Sequence, residues 1–219
     1  MSVGRLPAKS ALMTLTPLFI THLYSASLTD EAGWQALNTD LEAACMQVGE
    51  DDEAGQAWCE NNGYDGYTSY ASLNDLETRA TAFATLKDKL DAHAAQFAEE
   101  ATLDLKGARL VMDSFWINIL NPYAAHSGHI HPHSVLSGTY YVKTPEGAGA
   151  LKLEDPRLPL MMNAPAPLKQ APESQQQFVY RQPQPGQIMM WESWLRHEVT
   201  ANHGEDLRIS ISFNYSLAD

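Results

Sequence analysis

Two kinds of hydrophobic spacing divide the chain near Gly107. On the N-terminal side, Trp34, Leu37, Leu41, Cys45 and Val48 recur at the three-and-four spacing of one helical face, which predicts a helix ending at Gly49. Residues 50–70 are acidic and carry Gly55, Gly63 and Gly66, which predicts a long loop with a mobile early part. Asn74 and Glu77 have capping-box spacing and predict the start of a second helix, with Phe83, Leu86, Leu90 and Phe97 as its apolar stripe. Such stripes are core faces before they are ligand sites, because an amphipathic helix has to bury them. An apolar stretch at residues 15–24 reads as an opening strand.

Beyond Gly107 the period shortens. Short strands are predicted at 110–120, 138–142, 150–153, 178–181, 188–191, 198–200 and 207–215, separated by turn residues as in an all-β sandwich or barrel. Residues 156–187 are rich in Pro and Gln and predict an irregular excursion over the barrel mouth. No internal repeat is evident. A length of 219 residues without a composition break suits one domain, with residues 1–109 as a strand and helices supporting a core at 110–215.

Charge narrows the partners. A formal net charge of -13 with only 14 Lys and Arg repels a phosphate backbone, so nucleic acid is not an expected partner. Arg5 and Lys9 ahead of residues 11–24 imitate a signal peptide, but Thr14, Thr16 and Pro17 interrupt the apolar run; no stretch of eighteen apolar residues exists, so no membrane span is expected. Two cysteines, Cys45 and Cys59, build neither a disulfide framework nor a CxxC metal site and read as reduced cytoplasmic thiols.

Of eight histidines, His126, His129, His131 and His133 fall within eight residues. In an extended segment alternate side chains share a face, so His129 and His131 can take adjacent positions on one metal ion, unless they are loop histidines bonded to backbone. His197 is the best distal third ligand. Eleven residues on, strict alternation sets Leu207, Ile209, Ile211, Phe213 and Tyr215 on one face and Arg208, Ser210, Ser212 and Asn214 on the other. An Arg turned into a barrel requires an anion, because its charge cannot be titrated away. Either a protein carboxylate such as Glu154 or Asp155 or a small-molecule carboxylate held by Arg208 and Ser210 would serve.

The runs His129-Ile130-His131-Pro132, Ser137-Gly138-Thr139-Tyr140-Tyr141-Val142, Trp194-Leu195-Arg196-His197-Glu198-Val199 and Arg208-Ile209-Ser210-Ile211-Ser212-Phe213-Asn214 resemble a bacterial and phage family of 2-oxoglutarate and Fe(II)-dependent oxygenases. The resemblance covers roughly 110–215 and implies a mainly β fold, a double-stranded β-helix (jelly roll) with the N-terminal helices packed on one face. It further implies Fe(II) on His129, His131 and His197, with 2-oxoglutarate held by Arg208 and Ser210, a Tyr140 or Tyr141 hydroxyl reaching the co-substrate, and Asn118 bonding it or the substrate. Trp191 and Trp194 would form an apolar wall beside His197. The wider superfamily has His-x-Asp or His-x-Glu where this chain has His-x-His, so either His131 replaces the carboxylate or an acid such as Asp155 completes the shell. The activity implied is hydroxylation of a C–H bond in a small molecule or protein side chain. The alternatives are a cupin-like three-histidine dioxygenase or isomerase that does not use 2-oxoglutarate, and a non-catalytic jelly-roll binding module. Exposed jelly-roll edges would offer a homodimer its contact.

Overall fold

The computed structural model describes residues 15–218. Arg5 and Lys9, the cationic part of the signal-like segment, lie outside them. The element order is β1 (Leu23–Ser27), α1 (Trp34–Asp51), α2 (Glu53–Asn62), β2 (Gly66–Thr68), α3 (Leu76–Arg79), α4 (Thr81–Glu100), β3 (Arg109–Leu120), β4 (His126–His129), β5 (Leu136–Lys143), β6 (Leu151–Glu154), β7 (Phe178–Arg181), β8 (Gln187–Glu192), β9 (His197–Val199) and β10 (Arg208–Ala218).

Two antiparallel sheets face each other as a jelly roll, one ordered β1-β8-β5-β10-β3-β2 and the other β4-β9-β6-β7. The alternation of β10 decides what lies on each face of the larger sheet. Ile209, Ile211, Phe213 and Tyr215 join Phe115 and Ile117 of β3 against Leu41 and Cys45 of α1 and Phe83, Leu86 and Leu90 of α4. The other face turns Arg208, Ser210 and Ser212 into a cavity between the sheets. Period-two patterning thus gives the sheet one apolar face for the helices and one polar face for chemistry. Gly138 is required where β5 crosses this core, since a Cβ there would lie 2.5 Å from the Phe213 ring.

The N-terminal half departs from the sequence reading in four places. The opening strand starts at Leu23, and Leu15, Leu18, Phe19 and Ile20 are exposed without strand pairing. Helix α1 runs through Gly49 to Asp51, because Gly49 is where the helix meets the Tyr67 and Ile119 side chains. The acidic stretch is ordered as α2 and β2, and Asp52 is the reason. Its carboxylate accepts Gly55 N–H at 3.0 Å, Tyr67 O–H at 2.8 Å and Ser72 O–H at 2.5 Å, capping α2 and tying it to β2. Burial raises the Asp52 pKa, but those bonds outweigh it and leave the pKa below the ordinary value. Asn74 does not cap a helix. Its amide donates to Asp113 O at 3.0 Å and its oxygen accepts Phe115 N–H at 3.3 Å, where β3 carries a bulge.

Candidate metal centre

Strands β4 and β9 pair with His129 opposite His197, and His131 follows two residues beyond β4, held by its N–H to Ser193 O at 3.0 Å. Extended backbone brings the three rings together, with centroids 4.4 Å (His129–His197), 4.9 Å (His129–His131) and 5.1 Å (His131–His197) apart. One nitrogen from each lies within 4.8 Å of the others. His131 Nε2 and His197 Nε2 are 3.3 Å apart, the separation of neighbouring donors each about 2 Å from one ion.

Hydrogen bonds set the ring tautomers. His129 Nδ1–H donates to Ser127 O at 2.7 Å and His197 Nδ1–H to Leu195 O at 2.8 Å, so both Nε2 lone pairs are left for a cation. His131 Nδ1 lies 3.4 Å from the Asn214 amide, whose other end accepts Ser137 O–H at 2.8 Å. Burial, followed by the neighbouring His129, holds His131 at about 4 and His197 at about 3, while burial also lowers His129. All three are neutral, the protonation state of a metal ligand, at neutral pH.

Arg208 lines the same cavity and is 2% exposed. One Nη donates to Ser210 Oγ at 3.1 Å, the guanidinium lies 5.2 Å from the Tyr141 ring centroid, and its buried Nε has no partner. No carboxylate among the described residues pairs with it. Asp155 is engaged by Arg157 at 2.8 Å and Glu154 by Arg196 at 3.5 Å, so neither of the two suggested protein anions serves, and Asp155 does not join the histidines. Burial lowers the Arg208 pKa, the mark of a charge held without a counterion. Three imidazoles at one side of a cavity and an uncompensated guanidinium in its wall fit a divalent metal with a dicarboxylate.

Of the two adjacent tyrosines, Tyr141 faces this cavity and its hydroxyl is pushed up to about 12 by burial. Tyr140 points to the helical layer instead, donating to Asn38 Oδ1 at 2.9 Å and accepting Trp34 Nε1–H at 3.1 Å. Asn118 lines the cavity, but its amide is committed to Ser212 Oγ and its oxygen to Thr68 Oγ1, both at 3.0 Å. Trp191 packs on His197 with centroids 4.6 Å apart, whereas Trp194 is 46% exposed and takes no part.

Outside the histidines a cleft of about 810 Å³ opens. Its wall is not the Pro- and Gln-rich excursion, which contributes no lining residue and folds into short turns at Leu158–Leu160 and Glu173–Gln175. Trp58, Tyr64 and Tyr70, from and beyond α2, line it together with Asp113 and Trp116 of β3 and His126. Of these, the sequence singles out only His126, as one of the four clustered histidines. Trp116 was legible, two residues before Asn118 on the same strand face; Tyr64 and Tyr70 carry no local signal.

Residues 114–214 match the model of a family described as "Putative 2OG-Fe(II) oxygenase". No curated protein matches the chain in sequence. Among solved structures, the epimerase SnoN in complex with Fe3+, alpha ketoglutarate and nogalamycin RO is similar at a TM-score of 0.59 and 12% identity, over 90% of this chain and 79% of that one. A Pseudomonas putida prolyl-4-hydroxylase is similar at 0.53 and 12%, over 90% and 92%. A Trichoplax adhaerens prolyl hydroxylase in complex with a hypoxia inducible factor peptide fragment is similar at 0.56 and 12%, over 89% and 83%. At such identities the likeness is one of fold.

Proposed function

We propose that the chain is a 2OG-Fe(II) oxygenase, the family whose model matches residues 114–214, that His129, His131 and His197 hold the iron and that Arg208 holds the far carboxylate of 2-oxoglutarate. The observation that carries this assignment is the buried, carboxylate-free guanidinium in the cavity of the three imidazoles. When bound, iron and 2-oxoglutarate supply an oxidant from O₂, with succinate and CO₂ as by-products and one oxygen atom delivered to a substrate C–H bond.

The chain's own part is binding, orientation and exclusion of water. The carbonyls of Ser127 and Leu195 fix two imidazoles in ring angle and tautomer. Arg208 offers its free N–H groups to a carboxylate, with the Ser210 hydroxyl as a second donor and the Tyr141 ring beneath the cation. Leu151, Tyr141 and Trp191 make the cavity wall apolar, which strengthens each of these contacts. A third imidazole in place of a carboxylate leaves the cavity one unit more positive, which favours the dianionic co-substrate over retention of the cation. Both thiols are free, so the chain is assigned to the reducing cytoplasm.

The test is anaerobic addition of Fe(II) and then 2-oxoglutarate to metal-free protein, watching for the weak visible charge-transfer band of the chelate. The band is expected in wild type and at far higher 2-oxoglutarate in Arg208→Ala. Iron bound with no band would indicate a three-histidine enzyme that does not use 2-oxoglutarate.

A further inference from the structure

Asp113 is out of phase with its strand. Along β3 the residues facing the helical layer are Phe115, Ile117 and Ile119, and those facing the cavity are Trp116, Asn118 and Leu120. Strict alternation would send Asp113 to the helical side with Phe115. The pairing of β3 with β10 slips here: Asn214 sits opposite Ser114 and Tyr215 opposite Met112, so Asp113 is the extra residue of a β-bulge. The bulge places Asp113 in the lining of the cleft outside the histidines, as bulges beside active sites do. Asn74 braces it by bonding the Asp113 carbonyl and the Phe115 N–H.

The carboxylate is half satisfied. Oδ2 accepts hydroxyl hydrogens from Ser216 and, at 3.4 Å, from Ser134, whereas Oδ1 is buried with no partner. Among the described residues no lysine or arginine lines the cleft, and Asp65 adds a second negative charge. Around these acids stand aromatic faces. Tyr70 meets Trp116 at 5.2 Å, Trp116 meets His131 at 5.7 Å, and Trp58 lines the same wall. Unpaired carboxylate with aromatic rings is the chemistry that recognises an organic cation. The chain's net charge of -13 would raise the local concentration of such a ligand.

We propose that the molecule presented to the metal centre is a small organic amine or guanidine, its cationic group on Asp113 and its carbon skeleton along Trp116 and Tyr70 towards His131. This rests on the oxygenase reading for what happens to the ligand, but not for its binding. A cleft of about 810 Å³ has the size of a small-ligand site, which favours a free amine over a basic side chain of a folded partner.

The experiment is binding to the full chain loaded with Mn(II) and 2-oxoglutarate, and separately to the metal-free chain, read by fluorescence of the cleft tryptophans. The probes are phenethylamine, the neutral 2-phenylethanol and the anionic 3-phenylpropionate. Phenethylamine should bind at least about tenfold more tightly than the other two, with the advantage shrinking as salt is raised. Asp113→Asn should erase that advantage and leave 2-phenylethanol unchanged. Tyr70→Ala, at an exposed position that does not endanger the fold, should weaken phenethylamine several-fold. Equal affinity for amine and alcohol, or an amine affinity untouched by both substitutions, would overturn the proposal. A peptide carrying a single lysine that binds more tightly than phenethylamine would overturn the choice of a free amine. Because the metal-free arm needs neither iron nor turnover, these failures are separable from absence of the charge-transfer band.

Discussion

Replacing Arg208 by methionine should make the ligand-free protein more stable while removing its response to 2-oxoglutarate. A buried ion without a counterion costs several kcal/mol of desolvation, and Arg208 is 2% exposed with an unpartnered Nε. Methionine fills similar space without that cost. What is lost is one charge-assisted bond to Ser210, about 1.5–3 kcal/mol, and the contact with the Tyr141 ring, about 1 kcal/mol. The balance is a gain of about 1–3 kcal/mol, or roughly 2–12 °C in Tm for a chain of this length. Metal-loaded wild type should in turn gain about 2.7 kcal/mol, roughly 5–10 °C, from 2-oxoglutarate at a hundredfold over its Kd. Thermal melts of both proteins with metal, with and without 2-oxoglutarate, measure all four numbers. A variant that melts more than about 4 °C below wild type would show that Arg208 is a structural residue, and a variant that keeps the 2-oxoglutarate shift would show that the co-substrate is held elsewhere.

Three further outcomes are expected. Metal-free protein should weaken in acid: burial, then the His129 charge, keeps folded His197 at about 3, while in the unfolded chain it takes a proton as the pH falls through the ordinary 6.5. Stability is therefore untouched above that value and about 2 kcal/mol lower by about pH 5 from His197 alone, with His126 and His131, both at about 4, acting in the same direction; urea midpoints that do not fall would contradict this. Tyr141→Phe should raise the 2-oxoglutarate concentration needed for half-maximal band intensity, whereas Tyr140→Phe should leave it alone and cost about 1–3 kcal/mol by orphaning Asn38 and Trp34. His131→Ala should abolish stoichiometric iron in a metal analysis and Asp155→Asn should not, since that carboxylate is already engaged by Arg157.

By itself the sequence determined the two-layered character of the fold and the residues that converge in its cavity. Period-two alternation from Leu207 to Tyr215 implied one apolar and one polar face, and the sheet has both. Spacing of two between His129 and His131 implied a shared side, because an extended backbone repeats every second residue. These are local rules, and local rules can be read from a string. What needed the tertiary structure was everything set by a distant partner. Whether Tyr140 or Tyr141 faced inward depended on which face of β5 the helices cover, and nothing within five residues of either decides that. Residues 50–70 read as a loop because their order comes from Asp52, which draws its bonds from Tyr67 and Ser72, fifteen and twenty residues away. Asn74 looked like a helix cap because capping and bulge bracing use the same side-chain amide, and only the position of β3 distinguishes them. The bulge that places Asp113 in the lining of the cleft is a mismatch between β3 and β10, a property of two strands in register that neither strand carries alone.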